Sequence, residues 1–336
     1  MNLYKYLLIA LIHFASIAGL QAEEVEKLVI IGAGAAGSSA AIFGAQADLN
    51  PLVIQDVDCQ AQMALIHSID NYPGVLEDID GYELLLNFRK QADKFGARFI
   101  KETVTSVDLS SKPFRIDFAS SKTVYADSII IASGTKKRWT DLPAEVALRG
   151  KGVVSATFCK DTDYSGKNVV VIGGGHAALQ EAIHIADQAQ NITIINRGDK
   201  FNASKFHQNV VFEKSNISVL YNTEVEDILD VTQDKVTGVM LRNKHTQETE
   251  FKPTDIVIVA IGNTPNSELF KDQLELTPNG NIVIRGKNSA TSVPGVFAAG
   301  DITDVTYGRV VVAAGSGAMA AIDAVRYLDS LKEDEK

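Results

Sequence analysis

The stretch that decides the fold is Lys27-Leu-Val-Ile-Ile31, followed at once by Gly32-Ala-Gly-Ala-Ala-Gly37 and an alanine-rich run to Ala47. The short β-branched run predicts a buried strand, and the three glycines predict a tight turn that opens a helix. Pro51–Ile54 then predicts the second strand of a β-turn-α-β unit. In such a unit the glycines permit the turn, let the backbone approach a phosphate, and let the helix pack closely on the strand.

The same pattern recurs in the middle of the chain. A strand at 168–172 is followed by Gly173-x-Gly175-x-x-Ala178, a helical stretch at 177–188 and a strand at 192–195. Two such units predict an α/β fold with two Rossmann-like dinucleotide-binding domains, each of three layers. The late Gly300-Asp301 segment predicts that the chain returns to the first domain, so the second domain is inserted into it. The expected domains are 25–138 with 266–331, and 139–265, followed by an acidic tail at 332–336.

The bulk composition narrows the possible partners. The chain has 336 residues, 46% of them hydrophobic, and a formal net charge of −10. This composition is typical of a globular protein, and the acidic excess argues against a nucleic-acid partner. The two cysteines, Cys59 and Cys159, are too few for a disulfide scaffold or a cysteine-built zinc site. The histidines show no metal-ligand pair, so we expect no metal.

The N-terminus has the layout of a secretory signal peptide. Met1–Tyr6 contains one lysine and no acid, and the apolar run Leu7–Leu20 precedes small residues, with possible cleavage after Ala18 or Ala22. As a helix this run of about 14 residues spans about 21 Å, less than the bilayer core of about 30 Å. We therefore expect a signal at 1–22, a secretory or extracytoplasmic location and no stable membrane span. The alternative is a cytoplasmic protein with a buried or frayed N-terminal extension.

Four further motifs carry a family resemblance. They are Ile69-Asp-Asn-Tyr-Pro-Gly74, Ile131-Ala-Ser-Gly-Thr135, Ala260-Ile-Gly-Asn-Thr-Pro-Asn266 and, most specific of all, Thr291-Ser-Val-Pro-Gly-Val-Phe-Ala-Ala-Gly-Asp301. Together with the glycine loops, they resemble the low-molecular-weight thioredoxin reductase family over nearly all of the chain that follows the leader. The resemblance implies FAD in the first domain, NADPH or NADH in the second, and a homodimer. It also implies hydride transfer from the nicotinamide to the flavin.

The predicted cofactor-binding residues follow from the loops and from this resemblance. Asp56 is the acid expected to reach a ribose, and Arg197 stands where the second domain would carry such an acid, which favours a 2′-phosphate. The alternative is that the second site is degraded and binds nothing. The full predicted set is Gly32, Gly34, Ala35, Gly37, Gln55, Asp56, Gln62, Asn71, Val104, Gly134, Gly300, Asp301, Arg309, Val310, Gly173, Gly175, Ala178, Arg197 and Gly262.

The chain departs from the family pattern at the Cys-x-x-Cys pair, which reads Ala156-Thr-Phe-Cys159. Disulfide exchange needs one thiolate to attack and a second thiol to resolve, so one cysteine cannot complete that cycle. On the nucleotide side the family's His-Arg-Arg reads Asn196-Arg197-Gly198, and a later arginine reads Asn202. The family's Tyr-Arg-Gln reads Tyr307-Gly308-Arg309 near the C-terminus. His176 lies at a predicted helix start and is interpreted as a loop residue, with a catalytic base as the alternative.

We therefore expect an FAD-dependent NAD(P)H oxidoreductase that passes electrons to a small-molecule or redox-protein acceptor instead of thioredoxin. A second hypothesis is a disulfide or persulfide reductase with Cys159 as its catalytic residue, because the adjacent Lys160 favours a thiolate. Cys159 is otherwise a small apolar residue left from the family pair. A third hypothesis is a flavin-binding protein without turnover.

Overall fold

A computed structural model describes residues 25–57, 61–66, 68–155, 162–286, 288–304 and 306–334. The strands are β1 (Val25–Ile31), β2 (Leu52–Gln55), β3 (Arg98–Lys101), β4 (Val104–Asp108), β5 (Phe114–Phe118), β6 (Thr123–Ile131), β7 (Thr135–Lys137), β8 (Val153–Ser155), β9 (Asn168–Ile172), β10 (Asn191–Asn196), β11 (Ile217–Tyr221), β12 (Thr223–Leu229), β13 (Gly238–Asn243), β14 (Thr249–Pro253), β15 (Ile256–Val259), β16 (Asn263–Pro265) and β17 (Val296–Ala298). The α-helices are α1 (Ala35–Gln46), α2 (Gly81–Lys94), α3 (Pro143–Leu148), α4 (His176–Ile185), α5 (Lys205–Glu213) and α6 (Val310–Asp334).

The chain divides into two compact units. The first contains the chain up to Ala64, Ile69–Gly134 and the chain from Asn266 onward, and the second contains Leu65–Ser68 and Thr135–Pro265. The second unit thus interrupts the first in sequence, as the return of the chain at Gly300 predicts.

The first unit is built on a seven-stranded sheet with the order β3-β2-β1-β6-β5-β4, in which β17 also pairs with β6. Strands β3, β2, β1, β6 and β17 are parallel, whereas β4 and β5 are antiparallel to their neighbours. In β1, Leu28 and Ile30 face one buried cluster, and Val29 and Ile31 face the other. A strand covered on both faces has no polar side, which explains the continuous apolar run in the sequence.

Helices α1 and α6 cover one face of this sheet. In the described part of the chain, the segment Val310–Glu333 of α6 is the one helix that is long and apolar enough to cross a membrane. Its Ala320, Ala321 and Ala324 are completely buried in the cluster shared with α1. Burial in this core accounts for part of the apolar composition of the helix.

The second unit is built on a five-stranded parallel sheet with the order β11-β10-β9-β15-β8. An antiparallel sheet, β12-β13-β14, and the antiparallel pair β7-β16 accompany it. In β9, Val169 and Val171 face one buried cluster while Val170 and Ile172 face another. The two units therefore repeat one design, a set of parallel strands that is buried on both faces.

Several elements differ from the sequence-based expectation. The stretch Phe99–Asp108 alternates like one strand, but it forms the end of β3 and all of β4. At the break, the Glu102 N–H donates to the Gln55 carbonyl at the end of β2 (3.0 Å). The next carbonyl, that of Thr103, accepts from the Ala119 N–H just after β5 (2.9 Å). The chain therefore changes its partner strand from β2 to β5 at this point. Helix α6 also continues to Asp334, into the expected tail at 332–336.

Candidate functional site

The first glycine loop joins β1 to α1 and admits only glycine at two positions. The Gly32 N–H donates to the Ile54 carbonyl (2.9 Å), and Gly32 has a φ of +109°. A Cβ on Gly32 would lie 2.2 Å from the Ala132 carbonyl oxygen, and one on Gly37 would lie 1.8 Å from the Gly32 carbonyl oxygen. Both distances are far below a van der Waals contact, so glycine permits the turn and the close approach of the helix.

Gly34 has a different role because the space around it is open. Among the described residues, a Cβ there would have only the Ala61 Cβ within 4 Å, at 3.7 Å. Gly34 is also the N-cap of α1, whose first residue is Ala35, and no side chain bonds the first N–H groups of the helix at the cap. Bare backbone beside a helix N-terminus fits the pyrophosphate of a dinucleotide.

The residues predicted to meet the ribose lie at the carboxyl edge of the same sheet. Gln55 ends β2, and its Oε1 accepts from Arg89 Nη1 at 3.3 Å. The next residue, Asp56, is exposed, and its carboxylate accepts from Thr103 Oγ1 at 2.7 Å. Open α/β sheets bind their ligands at this edge, so the positions of Gln55 and Asp56 fit a ribose.

Three other predicted residues lie in the first unit outside the glycine loop. Gln62 begins a short 3₁₀ helix, Gln62–Leu65, and Asn71 lies exposed in a turn. Val104 begins β4 and packs against the second buried cluster of the unit.

Gly300 brings the C-terminal motif to the first turn of α1. Gly300 has a φ of +81°, and its N–H donates to Ser316 Oγ at 2.9 Å. A Cβ on Gly300 would lie 2.8 Å from the Ala36 Cβ, and one on Gly317 would lie 2.0 Å from the Ala36 carbonyl oxygen. Asp301 follows Gly300 directly, so its backbone is held beside the glycine loop.

The chain between Asp301 and α6 is fixed by another carboxylate. Asp304 accepts from the N–H groups of Thr306 (2.7 Å), Tyr307 (2.9 Å) and Gly308 (2.8 Å). This turn presents Arg309, which is exposed, just before Val310 begins α6.

The second glycine loop, between β9 and α4, repeats the geometry of the first. The Gly173 N–H donates to the Ile195 carbonyl (2.9 Å), its φ is +143°, and a Cβ there would lie 2.3 Å from the Ala260 carbonyl oxygen. A Cβ on Gly175 would meet no atom within 4 Å in the part of the chain that the structure describes. Ala178 is fully buried where the first loop has its third glycine.

The loop after β10 places Arg197 next to this second glycine loop. Asn196 is buried, its Nδ2 donates to the Lys200 carbonyl (2.8 Å), and its Oδ1 accepts from the Gly198 N–H (3.2 Å). The Asn202 N–H donates to the Gly174 carbonyl at 2.7 Å and ties the two loops together. The exposed Arg197 guanidinium is therefore available to a phosphate on the ribose.

Two predicted glycines occupy strand ends. Gly134 (φ +63°) and Gly262 (φ +101°) have no atom of the described residues within 4 Å of a built Cβ. The Gly134 carbonyl accepts from the Asn266 N–H (3.0 Å), and the Gly262 carbonyl accepts from the Arg138 N–H (2.9 Å). Both turns leave open backbone beside their strands.

The predicted catalytic residue, Cys159, lies outside the described residues, as do Ala156 and Cys59. Among the residues that the structure does describe, no group of three or more His, Cys, Asp or Glu side chains could hold a metal ion.

Sequence reasoning missed the side chains that hold the predicted residues in place. Thr103 bonds Asp56, Ser316 bonds the backbone of Gly300, and Asp304 organises the turn before Arg309. Thr103 and Ser316 are distant in sequence from their partners, so no local pattern could have indicated them.

Comparison with known proteins identifies the class. Residues 26–317 match the family described as Pyridine nucleotide-disulphide oxidoreductase. The chain is 38% identical over 304 residues to the thioredoxin reductase of Rickettsia bellii, covering 90% of this chain and 98% of that relative. The structure is similar to that of Lactococcus lactis thioredoxin reductase in its FR conformation (TM-score 0.85, 28% identity, 91% and 99% coverage). It is also similar to that of T. acidophilum thioredoxin reductase (TM-score 0.81, 31% identity, 91% and 98% coverage).

The chain belongs to the pyridine nucleotide-disulphide oxidoreductase family. It is an FAD-dependent pyridine nucleotide oxidoreductase, and its cofactors are FAD and a pyridine nucleotide. The predicted α/β fold with two Rossmann-like domains is confirmed.

Proposed function

We propose that this enzyme passes electrons from NAD(P)H through FAD to an acceptor other than thioredoxin. One observation carries the proposal: the whole sequence contains two cysteines, Cys59 and Cys159, and alanine stands at position 156. A dithiol relay must hold two thiols that exchange with each other and with the substrate disulfide. A chain with a single cysteine at the position of the family pair has no resolving thiol next to the attacking one.

The first unit would hold FAD through the groups around the first glycine loop. The backbone at Gly34 and Ala35 would receive the pyrophosphate, Asp56 the ribose, and the backbone around Asp301 the chain that leads to the ring. The contacts among Gly300, Ala36 and Gly317 support this assignment, because they leave no room for side chains between the loop and α6. Bound FAD supplies a ring that accepts a hydride and returns electrons singly or in pairs.

The second unit would hold the pyridine nucleotide through the second glycine loop and Arg197. Open backbone at Gly175 supports the pyrophosphate position, and the exposed Arg197 supports binding of a 2′-phosphate. We therefore propose NADPH as the preferred donor, with a weak preference because Gly198 and Asn202 stand where the resembled family carries further arginines. NADH remains the alternative donor.

The acceptor is proposed to be a small molecule or a redox protein without an exchanging dithiol. A second candidate function is a disulfide or persulfide reductase that uses Cys159 alone. The adjacent Lys160 favours this candidate, because a neighbouring cation stabilises a thiolate. A third candidate is a flavin-binding protein that has no electron donor among the pyridine nucleotides.

Three proteins test these functions: the natural chain and the variants Cys159→Ser and Ala156→Cys. Each protein is loaded with FAD and mixed without oxygen with NADPH or NADH while the visible flavin band is followed. We expect rapid bleaching in all three proteins. If neither NADPH nor NADH bleaches the flavin, the third candidate, a flavin-binding protein without turnover, is favoured.

The same proteins are then given oxidised thioredoxin, a disulfide or persulfide substrate, and quinone or ferric acceptors. We expect the natural chain to reduce the last group and not thioredoxin. Brisk reduction of thioredoxin by the natural chain contradicts the proposal. Loss of disulfide or persulfide reduction in Cys159→Ser, with the other acceptors unaffected, would establish the second candidate. Ala156→Cys is the positive control, since it restores the spacing of the family pair.

The predicted leader supports an extracytoplasmic or secretory location for this enzyme, although residues 1–22 lie outside the described residues. Export of the full chain should yield a mature N-terminus at Gly19 or Glu23. An intact Met1 in every cell fraction contradicts the signal peptide and favours the cytoplasm. We also propose a homodimer, to be tested by light scattering of the FAD-loaded protein.

A further inference from the structure

Two histidine rings touch beside the second glycine loop. His176 is the first residue of α4 and directly follows Gly175, while His207 lies in the first turn of α5. Their ring centroids are 4.2 Å apart at an interplanar angle of 71°. His207 Nδ1 lies 2.7 Å from the hydroxyl of Ser204, which is the N-cap of α5. Contacts with a ring and with a capping residue fix the orientation of His207, so Nε2 is the nitrogen left for a ligand.

The imidazole pair connects the two loops that would receive the nucleotide. His176 continues the loop that fits the pyrophosphate, and His207 belongs to the helix that follows the loop with Arg197. These loops are joined by the bridge between Gly175 and Asn202. A phosphate on the adenosine ribose, which Arg197 would bind, is therefore close to the pair in both sequence and fold.

The elements that carry the pair hold charged groups of both signs. The segment 196–207 contains three exposed cations and one exposed acid: Arg197, Lys200, Lys205 and Asp199. Helix α4 contributes Glu181 and His184, the far end of α5 contributes Glu213, and Lys214 follows it. The ring of Phe206 also contacts His207, at 5.3 Å between centroids, and carries no charge.

Protonation of such a pair depends on the presence of an anion. Imidazole side chains change charge between about pH 5 and 8. Two cationic rings in contact repel each other, and a dianionic phosphate beside them offsets that repulsion. The Ser204 hydroxyl can either donate or accept, so its bond to His207 persists in both charge states.

We propose that His176 and His207 select the 2′-phosphate of NADPH over NADH, and that they do so more strongly as the pH falls. The inference rests on the proposed nucleotide site of the second unit and adds to it two specificity-determining side chains. The opposing interpretation is that the ring contact only packs α4 on α5. In that case an uncharged aromatic ring at position 207 serves equally well.

The test measures binding of NADP⁺ and NAD⁺ to the oxidised, FAD-loaded protein by calorimetry, from about pH 8.5 to about pH 6.5. Over this range the 2′-phosphate, with its second pKa of about 6, stays largely dianionic. The variants are His207→Asn, His176→Asn and His207→Phe, of which the last keeps a ring. His245→Asn is the matched control, because His245 is an exposed histidine in the turn between β13 and β14.

In the natural chain we expect the ratio of the NAD⁺ to the NADP⁺ dissociation constant to rise several-fold as the pH falls, because a protonated pair attracts the 2′-phosphate and NAD⁺ lacks that group. His245→Asn should keep this rise, and all three variants of the pair should lose most of it. NADP⁺ binding near neutral pH should also take up fewer protons in His207→Asn than in the natural chain. This second readout does not depend on how tightly the variant binds.

A ratio that does not change with pH, or His207→Phe behaving like the natural chain, would overturn the inference while the nucleotide site stands. Failure of both nucleotides to bind at every pH would overturn the proposed nucleotide site and the inference with it.

Discussion

Gly37 and Ala178 occupy equivalent positions in the two glycine loops, and the distance between loop and helix decides which residue fits. A Cβ at position 37 would lie 1.8 Å from the Gly32 carbonyl oxygen, whereas Ala178 is accommodated with no exposed surface. Helix α1 therefore lies closer to its loop than α4 does. The third glycine of the first loop is a packing requirement, while Gly34 leaves space for a ligand.

Substitution of these glycines should separate stability from FAD binding. Gly37→Ala forces a carbon into backbone and should lower the free energy of unfolding by roughly 1–3 kcal/mol. Gly34→Ala meets only Ala61 and should leave the stability of the apoprotein unchanged, but its methyl group blocks the approach of the pyrophosphate. We expect FAD affinity to fall about tenfold or more in Gly34→Ala. Urea unfolding and flavin titration of the apoproteins provide the measurements, and equal stability of the two variants contradicts the prediction.

Two aspartates of neighbouring strands should respond to pH in opposite directions. Burial raises the pKa of the Asp127 carboxyl, against the opposing effects of Lys112 and Lys27. Hydrogen bonds from Thr123, then Ser106, hold the pKa of Asp117 below its usual range, with a further contribution from Arg115. A raised pKa adds stability at low pH that is lost as the pH rises through that pKa, and a lowered pKa adds stability that is lost as the pH falls through it.

As the pH rises from about 3 to about 6, the free energy of unfolding of the natural chain should therefore fall relative to that of Asp127→Asn. Over the same range it should rise relative to that of Asp117→Asn. Denaturant midpoints measured at several pH values check both slopes. Slopes of the same sign for the two variants would contradict this account of their surroundings.

Among the elements, α3 depends on one buried carboxylate. Glu145 is fully buried, and its Oε1 accepts from Arg149 Nε at 3.0 Å, one turn later on the helix. Its Oε2 accepts from the hydroxyl and N–H of Thr140 and from the Asp141 N–H. The Arg149 guanidinium also lies 4.2 Å from the centroid of the Trp139 ring. One carboxylate thus joins α3 to the chain that enters it.

Glu145→Ala should destabilise the second unit by about 3 kcal/mol, because it leaves Arg149 and the backbone donors without their acceptor. The matched control is Lys151→Ala, which removes an exposed ion pair with Asp234 (2.6 Å). Exposed pairs contribute less than about 1 kcal/mol, so the control should unfold like the natural chain. Calorimetric unfolding of the two variants decides the matter, and similar losses in both would refute the special role of Glu145.

The sequence predicts the elements that have a clear local apolar pattern. It does not predict those whose pattern is weak or interrupted. Strands β1 and β9 are continuous apolar runs, and the sequence predicts both. Helix α5 buries only Val211, so it carries no strong apolar stripe. In β12 the register shifts between Val225 and Asp227, which interrupts the alternation of a half-buried strand.

The same limit applies to the candidate site, where contiguous motifs are predicted and contacts between distant residues are not. Both glycine loops and the Gly300-Asp301 motif are contiguous in sequence and were predicted. His176 is predicted to lie at a helix start, and it begins α4, but its contact with His207, 31 positions later, is not predicted. Contacts of this kind depend on how helices pack, and a single sequence does not encode them in any local pattern.

At the scale of the whole molecule, each unit has its own buried clusters and its own glycine loop. The clusters of the first unit gather residues from both ends of the described chain, and those of the second come from the inserted segment. We therefore expect each unit to be stabilised against unfolding by its own ligand.

Scanning calorimetry of the full chain should show two transitions, one raised by FAD and the other by NADP⁺. A ligand at about one hundred times its dissociation constant adds about 2.7 kcal/mol, or on the order of 5–10 °C for units of this size. At that ligand concentration a tenfold loss of affinity leaves about half of the added stability, so Gly34→Ala should about halve the first shift. Gly175→Ala, whose methyl group meets no atom of the described residues, should reduce the second. A single transition raised by both ligands would show that the units unfold as one.

The position of β17 and α6 in the chain sets the order in which a nascent polypeptide can mature. Both elements belong to the first unit, yet the ribosome makes them only after the whole of Thr135–Pro265. At about 5–20 residues per second, the leading half waits on the order of 10 s for its last strand and covering helix. During translation the second unit can finish folding while β6 still lacks its partner β17. Termination shortly after Pro265 would therefore release a chain with a folded second unit and an incomplete, aggregation-prone first unit.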